Sequence, residues 1–155
     1  KKHLFTLGKE QDFFEPGKEK AMIIINGWKI CPLICYDLRF PVWSRLSPNG
    51  LDLYEYDVLI YIASWPKMRI NAWDTLLSAR AIENQSYCVG VNRLGIDGND
   101  LEYPGHSCVY DFLGDRRVDL GTSVTTSTAV LSKEGLNHFR SKFPFQKEAD
   151  FFNFL

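Results

Sequence analysis

The stretch from residue 57 to residue 93 leaves this chain few architectures to adopt. Residues 57–63, DVLIYIA, are a near-continuous apolar run of strand length, the pattern of a strand covered on both faces. In residues 68–85, Ile70, Trp73, Leu76, Leu77, Ala81 and Ile82 recur at spacings of three and four, with Arg69, Asp74, Arg80 and Glu83 between them. That period predicts an amphipathic helix. YCVGVNR at 87–93 reads as a further strand. Strand, long helix and strand in succession make a layered α/β protein, with 57–63 as a central strand.

The flanking segments extend this plan. AMIIIN (21–26) and WKICPLIC (28–35) are apolar, β-branched runs on either side of Gly27, a hairpin candidate. Residues 6–20, with Gly8, Pro16 and Gly17, read as a loop. Pro41 suits the first turn of a short helix over 41–46 that stops at Ser47-Pro48-Asn49-Gly50. Downstream, the pattern predicts a turn at 95–100, a strand at 106–112, a turn at 113–117 and a strand at 127–131. Ser132 is placed to cap a helix running to Lys142. The aromatic tail of Phe151, Phe152 and Phe154 is expected to cover a sheet, either of this subunit or of a partner. At 155 residues, 45% of them hydrophobic, one domain with a mixed sheet is expected.

Composition excludes several functions. The net charge is −1 and no run of like charge exceeds Lys1-Lys2, so neither nucleic acid nor an anionic membrane surface is an expected partner. The longest apolar runs fall far short of the roughly 20 residues that span a bilayer. The opening residues lack the pattern of a signal peptide, and a cytoplasmic protein is expected. Cys31, Cys35, Cys88 and Cys108 match neither a dense disulfide framework nor a paired zinc motif, so free thiols and no metal site are expected.

Cys35 stands where an apolar run hands over to Tyr-Asp-Leu-Arg-Phe-Pro. A thiol at a strand end, before helix-like residues, meets free backbone N–H groups that favour a thiolate and can receive an oxyanion. Taken alone, a cysteine there is more often a small buried side chain. Both readings stand on local pattern.

Several spaced motifs bear on that choice. KKHLF at 1–5, ICYDLRFP at 34–41, SWP at 64–66 and LLSARAIENQSYCVGVNRLGIDG at 76–98 resemble, in order, the C-terminal part of nitrilase-superfamily carbon-nitrogen hydrolases. With HFRSKFPFQKEADFF at 138–152, the chain looks most like the ω-amidase branch. The resemblance covers nearly the whole chain and implies an αββα sandwich, an amidase without metal or organic cofactor, and a homodimer. It implies a Glu-Lys-Cys triad in which Cys35 is the nucleophile and Lys1 the lysine, with Glu10 as a second glutamate. The first glutamate, the general base, belongs to an N-terminal portion that this chain is expected to lack, since no other glutamate matches its motif. Lys1 and the Tyr36 backbone N–H would hold the oxyanion. The implied substrate is the ω-amide of a 2-oxo dicarboxylic acid. The alternatives are a carbamoyl-type amidase of the same superfamily, or a non-catalytic piece without its base.

Each residue also has a plainer reading. Lys1 alone is a solvated terminal lysine, and Glu10 is either a supporting carboxylate or a loop charge. His3 is expected to pack or hydrogen-bond rather than form a dyad with Cys35. Arg39 could bind a substrate carboxylate bidentately or pair with a nearby acid. Trp65 is a pocket wall or ordinary packing, and Arg80 with Glu83 is a local ion pair that the resemblance puts in support of the site.

Overall fold

The computed structural model describes residues 1–46 and 53–150. Ile23–Ile25 (β1) and Trp28–Ile34 (β2) form the expected antiparallel hairpin. Asn26 and Gly27 between them have φ of 48° and 79°. Two successive positive values are those of a type I′ turn, whose twist matches the paired strands.

Pro41–Ser44 (α1) carries Pro41 in its first turn. Val58–Ala63 (β3), Ile70–Glu83 (α2) and Tyr87–Asn92 (β4) follow, with a 3-10 turn at Lys67–Arg69 leading into α2. Strands β2, β3 and β4 are parallel, as a strand–helix–strand crossover requires. Cys108–Tyr110 (β7) and Arg116–Asp119 (β8) add antiparallel strands, giving the order β1-β2-β3-β4-β7-β8. Between β4 and β7, Leu94–Ile96 (β5) pairs with Glu102–Pro104 (β6) in a separate small hairpin. The sheet is mixed and β3 is third of six, as expected.

On one face of the sheet Cys31, Leu33, Leu59, Tyr61 and Cys88 pack against Trp73, Leu77 and Ala81 of α2 and Trp43 of α1. Each such burial contributes about 1.5–3 kcal/mol for a large apolar side chain. At Gly90 the helix packs close on the sheet, and a Cβ there would lie 2.8 Å from Cζ2 of Trp73. The other face holds a smaller cluster of Val58, Tyr87 and Leu136, the last from Lys133–Lys142 (α3). Ser132 caps α3 by accepting a 2.9 Å bond from Gly135 N–H.

Four expectations need correction. β3 is not covered on both faces along its length: Ile62 is 56% exposed, because α3 reaches only the other end of the sheet. The segment 127–131 is extended but in no strand, and Val130 is 95% exposed, since β-branched residues make a strand only beside a free edge. Of the 95–100 turn, Gly95 and Ile96 belong to β5, and the remainder is the tip of the β5–β6 hairpin. The 113–117 turn ends at Gly114 and Asp115, with β8 beginning at Arg116. Ser47-Pro48-Asn49-Gly50 and the aromatics Phe151, Phe152 and Phe154 lie outside the described residues. Among the described residues, no helix is long and apolar enough to cross a membrane.

Candidate active site

β2 ends at Ile34 and the chain turns at once into a 3-10 helix, Cys35–Arg39. Cys35 itself has φ of 48°. A non-glycine residue there costs about 1–3 kcal/mol and persists only where its surroundings impose it, most often at functional sites. The turn lifts the thiol off the end of the parallel strands, where ligands of open α/β sheets bind. Of the four free cysteines it alone is not buried.

Two adjoining cavities, of about 350 and about 610 Å³, share Cys35, Phe5, Ser64, Pro66 and Arg69 in their walls. Lys1 and Glu10 enter the larger one. Lys1 Nζ donates to Glu10 Oε1 at 2.6 Å and also contacts Oε2. Glu10 Oε2 further accepts from Phe5 N–H at 2.8 Å, and Lys1 C=O accepts from Gly17 N–H at 2.6 Å. Lys1 is therefore a fixed cation, not a frayed terminal lysine, and Glu10 is its counter-ion.

Burial pushes the Cys35 thiol above its ordinary value; Lys1 and the backbone of Ser64 pull it back, Glu10 adds to the rise and the Tyr36 backbone opposes it. Burial prevails. At neutral pH the group is a thiol that must lose a proton before it can attack. Two carboxylates share its larger cavity, and neither is suited to take that proton. Glu10 is occupied by Lys1. Asp97 is held below the usual carboxylate range by the Asn99 N–H, the Tyr103 hydroxyl and the Leu101 N–H, which makes it a weak base.

The smaller cavity is lined by Tyr36, Arg39 and Trp65 together with the shared residues. Arg39 stacks over the Trp65 ring at 5.0 Å, and Arg69 lies 5.4 Å from the centroid of the Phe5 ring. Neither guanidinium forms an ion pair among the described residues, so the structural pairing considered for Arg39 is replaced by stacking. Trp65 is packed in the core and also forms part of the cavity wall. It is 3% exposed in the core, its Nε1–H donates to Arg69 C=O at 2.8 Å, and it walls the cavity under Arg39.

His3 does not reach Cys35 as a dyad partner. Its ring stacks on Phe40 at 3.8 Å, and its Nδ1 lies 2.9 Å from Oδ1 of Asp37. Arg80 pairs with Glu83 at 3.0 Å and donates from Nη2 to Leu38 C=O at 2.7 Å, bracing the turn behind the thiol. Sequence reasoning did not single out Asp37 or Phe5, and it took Arg69 only as a helix charge. Asp37 lies inside ICYDLRFP, so its position was signalled; the approach of Arg69 to Phe5 was not.

Known proteins resemble this chain along its length. The family model for carbon-nitrogen hydrolases matches residues 1–140. An omega-amidase, YafV of Yersinia enterocolitica, is 42% identical over 100% of the chain, which spans 59% of that relative. A 2-oxoglutaramate amidase of Bacillus subtilis is 40% identical over 72% of the chain and 41% of its own length. The crystal structure of XC1258 from Xanthomonas campestris, a CN-hydrolase superfamily protein with an arsenic adduct in its active site, superposes with a TM-score of 0.95. It is 39% identical, covering 100% of this chain and 59% of that one. The sheet and helices described above are thus the nitrilase-superfamily α/β fold, and the chain belongs to the carbon-nitrogen hydrolase family.

Proposed function

We propose that this chain carries the nucleophile-bearing part of an amidase that hydrolyses the ω-amide of a 2-oxo dicarboxylic acid to the acid and ammonia. The observation that carries the reading is Cys35, strained at a strand end, in a cavity with the fixed Lys1–Glu10 pair and beside two unpaired guanidiniums. An ammonium near the thiol suits an oxyanion. Unpaired arginines suit a substrate whose far end is a carboxylate. The names of the relatives, omega-amidase and 2-oxoglutaramate amidase, point the same way.

In this mechanism a general base takes the Cys35 proton. The sulfur attacks the amide carbon, and Lys1 with the Tyr36 N–H stabilises the oxyanion. The C–N bond breaks, ammonia leaves with the proton returned to it, and the acyl group remains as a thioester. Water, deprotonated by the same base, cleaves the thioester and restores the thiol. Arg39 over Trp65, with Arg69, orients the substrate carboxylate. Free cysteines fit a reducing, cytoplasmic setting, and a homodimer is the proposed assembly.

A panel of amides with ammonia detection tests this. The ω-monoamides of 2-oxo dicarboxylic acids should be preferred, Cys35→Ala should abolish turnover, and a slow substrate should leave an acyl mass increment on Cys35. Arg39→Met should raise KM for the carboxylate-bearing amides by about tenfold or more, the worth of a charge-assisted hydrogen bond. Turnover retained by Cys35→Ala would overturn the reading, and carbon dioxide released with the ammonia would move it to carbamoyl substrates.

A further inference from the structure

One carboxylate joins the two segments on which the proposed chemistry depends. Asp37 is fully buried. Its Oδ1 accepts from Lys2 N–H at 3.1 Å, from His3 N–H at 2.9 Å, and lies 2.9 Å from His3 Nδ1. Its Oδ2 accepts from Ile34 N–H at 3.1 Å. The first group of partners begins at the residue after Lys1, and the last is the residue before Cys35. Among the described residues, every hydrogen bond between segments 1–5 and 34–40 ends on this carboxylate. The ring contacts between the segments, His3 on Phe40 and Phe5 on Tyr36, tolerate sliding.

Burying a carboxylate away from any lysine or arginine is costly unless several donors meet it. Here four donors do so, from two directions. The bond to Ile34 closes the turn that holds Cys35 at positive φ, while the bonds to Lys2 and His3 fix the backbone that carries Lys1. Neither the Lys1–Glu10 pair nor the bond from Gly17 reaches the cysteine segment.

We infer that Asp37 is a positioning residue for the amidase reaction, setting where the Lys1 ammonium stands relative to the Cys35 sulfur and to the oxyanion formed on it. Asp37 touches no substrate and acts only through those two residues. The inference rests on the proposed roles of Cys35 and Lys1, and it goes beyond them by naming what holds the two in register.

The test is Asp37→Asn in the active enzyme, with Lys1→Ala and the double variant alongside. Asparagine keeps the volume but turns an N–H₂ toward donors that need an acceptor. The expected result is a kcat lowered about a hundredfold, the cost of a misplacement near 1 Å, with KM unchanged. The pH profile of Cys35 alkylation by iodoacetamide should move upward as far as in Lys1→Ala, and no further in the double variant. His3→Ala, which removes one donor and leaves the three backbone bonds, should lower kcat by less than about tenfold. Its loss should also vanish in the Lys1→Ala background, a readout that serves even where Asp37→Asn fails to fold. Full kcat in Asp37→Asn, or alkylation shifts that simply add to those of Lys1→Ala, would overturn the inference while leaving the nucleophile standing. A Cys35→Ala enzyme that still turns over would remove both.

Discussion

At the scale of single residues, the site is a set of opposed charges acting on one thiol. Burial disfavours the Cys35 thiolate, Lys1 favours it and Glu10 works against Lys1. Alkylation of Cys35 in this chain should therefore be slower than that of free cysteine at neutral pH. Its rate should continue to rise beyond about pH 8.5, the ordinary thiol range. Removing the cation in Lys1→Ala should push the profile higher, and removing the anion in Glu10→Gln should bring it lower. Rapid alkylation already at about pH 6 would mean a preformed thiolate and would remove the need for a separate base. Much of this was legible in the sequence, because Cys35, Tyr36, Arg39 and Trp65 lie inside or beside short motifs and Lys1 opens another. What was not legible is how those segments meet. No spacing rule connects Asp37 with Lys2 and His3, more than thirty positions away, or Arg69 with Phe5.

At the scale of elements, α3 is fastened to the sheet by a charge cluster as well as by Leu136. Asp57, buried just before β3, receives Lys29 N–H at 2.9 Å and Arg140 Nη1 at 2.9 Å, and it pairs with Lys133. Arg140 also donates to Gln85 C=O at 2.9 Å and Tyr56 C=O at 2.8 Å, so one guanidinium spans three segments. Burial alone would raise the Asp57 carboxyl, but Lys133, the Lys29 N–H and Arg140 together hold it below its ordinary value. A depressed folded pKa means that the stabilisation is full above about pH 4, the unfolded aspartate value, and is lost as the pH falls through the folded value. Asp57→Asn should cost about 3–5 kcal/mol in urea unfolding at pH 7, and that difference should narrow under strong acid. A loss that did not change with pH would assign the effect to packing. Sequence reading recovered β1, β2, α1, β3, α2, β4, β7 and α3, the elements marked by an apolar run or period, a proline start or a cap. It missed β5, β6 and β8, strands of only three or four residues, the last two with charged members, whose existence depends on the strand they pair with. The strand predicted at 127–131 failed for the converse reason, since its β-branched residues have no edge beside them.

At the scale of the whole molecule, the two faces of the sheet differ in a way that bears on how the chain behaves. The face under α2 is closed. On the other, α3 and Leu131 cover the end that bears Val58 and Tyr87, while Ile34, Ile62 and Val91 remain 43%, 56% and 47% exposed. Those three residues are register partners, Ile34 with Ile62 and Ile62 with Val91, so they form one continuous apolar row across β2, β3 and β4. The row ends one residue before Cys35. The strand register therefore carries the open surface up to the turn that bears Cys35. A contiguous apolar row of this kind drives association in water. The 155-residue chain expressed by itself should therefore bind a hydrophobic dye such as ANS and self-associate in sedimentation. Replacing Ile62 and Val91 by threonine keeps β-branched side chains in the strands and should suppress both effects without loss of secondary structure by circular dichroism. A chain that sediments as a monomer and leaves the dye dark would show that this row is already covered in solution, and the same variants would then be expected to lose stability instead.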